Sequence, residues 1–182
     1  RLHGIRTNRD LLVNVLRHPA FLAGATNTAF FDTHGLDNLA APLTTAATVR
    51  LSAVAAAIAD AAQNRSSTPV LAGLPSGWRN LPSANQSKTF RTDDGVEHRV
   101  DYRNTRNGLL LPDDAGVRLV ADSANRVVLA DSGGAETAFE IRRYTDMVCV
   151  DSVCGSVQFA AVPKFTEPGS EVAQGSLVAP MP

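Results

Sequence analysis

Four histidines, two cysteines, two pairs of adjacent aspartates and one Gly-Gly step are the groups in this sequence with the most chemistry to offer. None of His3, His18, His34 and His98 has a partner at metal-ligand or triad spacing. His18 precedes a proline. His34 sits at an expected helix end, where a cationic ring suits the dipole. His98 is one member of an alternating strand pattern. All four are assigned structural roles. No HExxH, GxSxG, CxxC or Walker loop occurs. Asp93-Asp94 and Asp113-Asp114 lie in turn signals near glycine, which makes them solvated turn caps, with calcium ligation the alternative. Gly133-Gly134 lies between strand patterns and reads as a turn, not a phosphate cradle. Cys149 and Cys154 fall in a valine-rich strand pattern and read as reduced, buried thiols. A disulfide across that short segment stays open, and a metal site lacks further ligands. Arg99, Arg103, Arg142 and Arg143 are expected to be solvent-facing or salt-bridged. On residues alone, then, no catalytic residue and no metal ligand is assigned.

Bulk composition narrows the classes further. The chain has 182 residues, a net charge of −1 and 19% charged residues. That is enough length for one domain, or a domain plus a fragment, and too little positive charge to suggest a nucleic-acid or membrane-surface partner. The sequence opens inside an element-like pattern and stops within another, so it is expected to be a window on a longer polypeptide.

The elements that must position any site are organised by Leu43–Asn64, which reads as one long helix. Thr44 or Thr45 can cap it, and the Ser-Ser-Thr-Pro run at 66–69 ends it. From Ala53 to Ala62 it has almost no polar face, and such a helix must be enclosed. Its unbroken apolar part, bracketed by Arg50 and Asp60, is too short to span a bilayer, which takes roughly 18 residues or more. Protein must therefore enclose it, and the alanines let the enclosing groups come close.

Upstream, Asp10–Arg17 reads as a helix with an apolar stripe of Leu12, Val15 and Leu16, ended by His18-Pro19. A second helix is expected over Thr28–His34, capped by Asn27 and stopped by Gly35. Downstream, strands are expected from Gly77–Asn80 onward: Lys88–Arg91, Val96–Tyr102, Leu109–Leu111, Val117–Ala121, Arg126–Ala130, Ala138–Tyr144, Met147–Val150 and Val157–Val162. Short turn signals separate them. The expected fold class is α+β, with a long central helix surrounded by an antiparallel β-barrel of about eight strands and preceded by a short helical segment. Arg65–Gly77 is a long loop carrying Val70, Leu71 and Leu74, followed by Trp78, the sole tryptophan. Apolar side chains on such a loop either fold back onto the core or meet a partner, and partner contact is expected. Residues 163–178 are polar and turn-rich and read as a linker.

Two separated motifs resemble one family. Gly4-Ile-Arg-Thr-Asn8, Leu11-Leu12, Val15-Leu16, His18-Pro19, Phe21, Gly24 and Thr28-Ala-Phe-Phe31 resemble the closing stretch of a biotin carboxylase domain. Glu171–Pro182, ending Ala-Pro-Met-Pro, resembles the entry to a biotin carboxyl carrier domain. Together they resemble the α subunit of a biotin-dependent acyl-CoA carboxylase. The resemblance implies that 1–41 closes the carboxylase domain, 42–165 is the BT, or subunit-bridging, domain, and 166–182 is a linker with the start of the carrier domain. It also implies a helix inside an eight-stranded antiparallel barrel. The loop after that helix would be a hook for the carboxyltransferase β subunit, here with Val70, Leu71, Leu74 and Trp78. The other partners implied are the chain's own biotin carboxylase and carrier domains. The parent would use biotin, ATP and Mg or Mn to carboxylate biotin for transfer to a methylcrotonyl-, propionyl- or acetyl-CoA type substrate. The biotinylated lysine and the ATP-grasp residues find no match here, so this window is expected to bind none of these cofactors and to be non-catalytic. The expected location is cytoplasmic. The alternatives are the equivalent region of a single-chain biotin-dependent carboxylase and a free-standing β-barrel ligand-binding domain. An interior filled by helix argues against the latter.

Overall fold

The computed structural model describes residues 2–5, 7–70, 73–77 and 84–165. Four short helices come first: α1 (Arg9–Arg17), α2 (Pro19–Leu22), α3 (Phe30–His34) and α4 (Leu36–Leu39). His18 ends α1 as expected. It also starts α2, because its ring Nδ1 accepts from the Ala20 N–H and Pro19 sits in the first turn, where its missing donor costs nothing. Asn27 caps an Asx turn ahead of α3, accepting from Ala29 N–H, and the helix itself begins at Phe30. Gly35, at φ 77°, closes α3. The rings of His18, His34 and Phe30 pack together, edge-on or tilted, with centroids 4.2–5.4 Å apart. Leu12 and Leu16 on α1 remain more than half exposed.

The long helix α5 runs Ala46–Ser67, 22 residues or about 33 Å. Thr45 is its cap, accepting from Thr48 N–H at 3.1 Å. The end of the helix is three residues beyond the sequence expectation, and the hydroxyls of Ser66, Ser67 and Thr68 bond back to the Gln63 and Asn64 carbonyls before Pro69. Ser52 through Ala62 are buried except Asp60, which is half-buried.

Eight strands enclose it: β1 (Gln86–Arg91), β2 (Glu97–Thr105), β3 (Gly108–Leu110), β4 (Arg118–Asp122), β5 (Arg126–Ala130), β6 (Glu136–Arg143), β7 (Val148–Ser152) and β8 (Gly155–Val162). All pairings are antiparallel, in the order β3-β2-β1-β8-β7-β6-β5-β4. The strand expected from Gly77 falls largely on 78–80, outside the described residues. The return of β8 to β1, Thr89 opposite Val162 through Arg91 opposite Ala160, bends two meanders into a nearly closed barrel. The edge strands β3 and β4 touch but form no ladder, and β4 carries a bulge that passes over Val120. The fold is thus α+β, a helix within an antiparallel barrel preceded by short helices.

Strand parity supplies the core. Val100 and Tyr102, Val127 and Leu129, Phe139 and Ile141, Val150, Val157 and Phe159 point at α5 and are buried. Parity also overturns one expectation. Arg143 follows Phe139 and Ile141 on the inward side of β6, so it is half-buried and unbridged among the described residues. It donates to Ala124 O at 2.6 Å. Burial pushes its pKa down. Arg103 is likewise half-buried, and its Nε has no hydrogen-bond partner. Arg99 pairs with Asp101 at 3.0 Å, and Arg142 is exposed, both as expected.

On β7 both faces are buried. Its outer face is strapped by the segment before α1: His3 Nε2 meets Asp151 Oδ2 at 3.0 Å, and His3 Nδ1 meets the Tyr144 hydroxyl at 3.1 Å. Cys149 lies on that outer face and is buried, whereas Cys154, in the turn to β8, is exposed, against the expectation that both are buried. No disulfide joins them. Burial raises the Cys149 pKa and so suppresses its thiolate. Iodoacetamide at neutral pH is therefore expected to modify Cys154 first and Cys149 only in denaturant. Equal labelling in the folded protein, read by mass spectrometry, would contradict the burial of Cys149 on that face.

Candidate functional site

Between α5 and β1, the described residues include two exposed apolar side chains, Val70 and Leu74, among several exposed elsewhere on the chain. Arg65, in the last turn of α5, pairs with Asp122 of β4 at 2.8 Å and fixes where the helix ends. Thr68 turns extended ahead of Pro69. Val70 is 66% exposed and Leu74 is 38% exposed. Pro75 then returns to the barrel, lining a notch of about 230 Å³ at the β3–β4 seam with Ile58, Ala61, Tyr102, Leu109 and Leu119. Burial, reinforced by Asp60, raises the Tyr102 phenol to about 12, so it stays protonated there. Gly77, at φ 73°, has its carbonyl held by Gln86 Nε2 at 3.0 Å. Of the four expected hook residues, Val70 and Leu74 therefore lie on one surface segment. Leu71 and Trp78 lie outside the described residues.

Elsewhere the charged groups lock elements together. Asp114, expected as a solvated turn cap beside Asp113, instead takes a two-pronged hydrogen bond from Arg50 of α5, at 3.0 and 2.6 Å. Arg50 also donates to Arg99 O. The Asp114 hydrogen bond raises the Arg50 pKa, against the opposing effect of burial. Asp94 behaves as the turn cap it was expected to be. It accepts from the Thr92 hydroxyl at 2.5 Å and from Val96 N–H, and these bonds lower its pKa. At the other end of the barrel, Lys88 of β1 meets Asp60 at 2.5 Å. That pair borders an open cleft of about 1110 Å³ also lined by Arg143, Tyr144, Met147 and Lys164. An acid and a base joined this closely neutralise one another, and the pair pins β1 to the helix. No signal in local spacing could have found these partners, although the two charges bracketing the alanine run advertised that each needed one.

Among the described residues, no three His, Cys, Asp or Glu side chains gather as a metal site, and no helix is long and apolar enough to cross a membrane. No curated protein matches the chain. A family profile described as methylcrotonyl-CoA carboxylase, alpha-subunit, BT domain matches residues 41–164, about two thirds of the chain. The matched span takes in α5, the loop after it and all eight strands. The chain belongs to this BT-domain family of biotin-dependent acyl-CoA carboxylase α subunits.

Proposed function

We propose that this stretch is the non-catalytic bridging region of an acyl-CoA carboxylase α subunit, holding biotin carboxylase and carrier domains against a carboxyltransferase β subunit. Family membership gives it a linking role in such an α subunit. In this proposal residues 1–41 end the carboxylase domain, 42–165 form the bridge and 166–182 lead into the carrier. One observation carries it: the barrel interior is filled by α5, while Val70 and Leu74 stand outward on the loop that follows. A plugged barrel has no room inside for a substrate, so its recognition surface lies on its exterior. Fixing a base for the tethered carrier raises the effective concentration of biotin at both reaction sites.

Biotin, ATP and Mg or Mn belong, on this proposal, to parts of the parent outside this sequence. The lysines here are Lys88 and Lys164. Neither fits the carrier's attachment point, since Lys88 is held by Asp60 and Lys164 lies over the Phe165 ring. Methylcrotonyl-CoA is the substrate class the family description favours, and a cytoplasmic location accompanies it.

The test is Leu74→Asp in the full parent α chain. A buried charge in place of an apolar anchor is expected to cost about 2 kcal/mol of binding, roughly thirtyfold in Kd for the β subunit, with the barrel still folded. Unchanged affinity would refute the proposal. A whole-complex mass showing a single polypeptide species would transfer the role to a single-chain carboxylase.

A further inference from the structure

We infer that Gln86 and Gly77 are positioning residues that hold residues 73–77, with Leu74 among them, ready for the partner without touching the partner themselves, an inference that rests on the bridging proposal. Three observations converge. First, the loop is fixed where it starts: the Thr68 hydroxyl donates to Asn64 O at 2.6 Å, and Arg65 ties the same helical turn to β4. Second, Pro75 lines the notch left where β3 and β4 fail to pair, so the loop's return lies beside that seam of the barrel. Third, Gln86, at the start of β1, reaches back to the Gly77 carbonyl at 3.0 Å.

Gly77 has two reasons to be glycine. Its φ of 73° lies in the left-handed region that side chains disfavour. A Cβ there would also come within 2.3–2.6 Å of the Gln86 amide group, so the clamp and a side chain at 77 exclude one another. Between the anchors, Val70 and Leu74 are presented outward. A loop held at both ends loses less freedom on binding, and a fraction of loops released from the shape lowers apparent affinity by that fraction.

This separates positioning from contact kinetically. The experiment measures association and dissociation of the full α chain with the carboxyltransferase β subunit by interferometry, and the thermal midpoint of each variant. Gln86→Glu keeps the side chain's shape and removes the donor. Gly77→Ala imposes the backbone and steric conflict. Each is expected to slow association about tenfold while the dissociation rate stays at the wild-type value and the midpoint falls by only a few degrees, since the folded state loses the clamp and nothing else. Together they should cost little more than either alone, since both release one restraint. Wild-type association rates for Gln86→Glu, a faster dissociation as the main effect, or full additivity would overturn the inference. Leu74→Asp in the same series distinguishes the two levels. If it weakens binding while the clamp variants do not, only the clamp fails. If it leaves binding unchanged, the bridging proposal fails and takes the clamp with it.

Discussion

Asp114→Ala is expected to destabilise the protein by about 3 kcal/mol, because it leaves the half-buried Arg50 guanidinium facing an emptied site. The carboxylate engages the guanidinium through two parallel hydrogen bonds, at 3.0 and 2.6 Å, the fork geometry in which such pairs are strongest. The Asp114 side chain is 9% exposed and that of Arg50 27%, which places the loss at the low end of the range for a broken buried pair, about 3–5 kcal/mol. Asp113, 3.9 Å from the same guanidinium and largely exposed, offers weak compensation. Asp113→Ala should therefore change stability little, by under about 0.5 kcal/mol. The measurement is the urea midpoint at constant slope. A loss of this size corresponds to a fall in Tm of about 6–12 °C for a chain of this length. Because Arg50 has a raised pKa, its contribution is complete below the unfolded value and is lost only as pH rises through the folded one, at strong alkalinity. The effect of the substitution should hence be constant through neutral pH. Equal losses for Asp113→Ala and Asp114→Ala would show that the fork does not hold α5 to the barrel's end.

Ala57→Leu is expected to cost about as much, roughly 3 kcal/mol, at the top of the range for overpacking. Leucine is nearly as good a helix former as alanine, so intrinsic propensity predicts almost no change. The loss comes from the wall. Ala57 is fully buried, as are Ala53, Ala55 and Ala59. Inward Phe139, Phe159 and Ile141 already fill the space between helix and strands. Added carbon atoms must push strands outward against a ladder that runs unbroken from β3 to β4. Ala47, exposed in the first turn of α5, is the control, and Ala47→Leu should be near neutral. If both substitutions proved equally mild, the helix would not be held by a close-fitting wall. Such a result would also undercut the case for placing recognition outside the barrel.

The alanine run and the period-two strands were legible from residue types because burial acts on each of them locally. A helix with no polar face needs enclosure, and strands that alternate with turn signals at short intervals can supply it. The inward sets Val100–Tyr102 and Phe139–Ile141 follow from the same parity, and the loop carrying Val70 and Leu74 stood out by its prolines and glycines. What tertiary structure alone decided were pairings across long separations. Asp114 lies 64 residues from Arg50, and its turn-like neighbourhood concealed its role. Cys149 faces outward by parity and is nonetheless buried, and a segment nearly the whole chain away is tied to Asp151, two residues on along the same outer face of β7. Gln86, ahead of the strand expected at Lys88–Arg91, carries no signal until the chain's return brings Gly77 against it. Local pattern reports which side chains must leave water. Which charge meets which, and which loop is held still, depends on how the barrel closes.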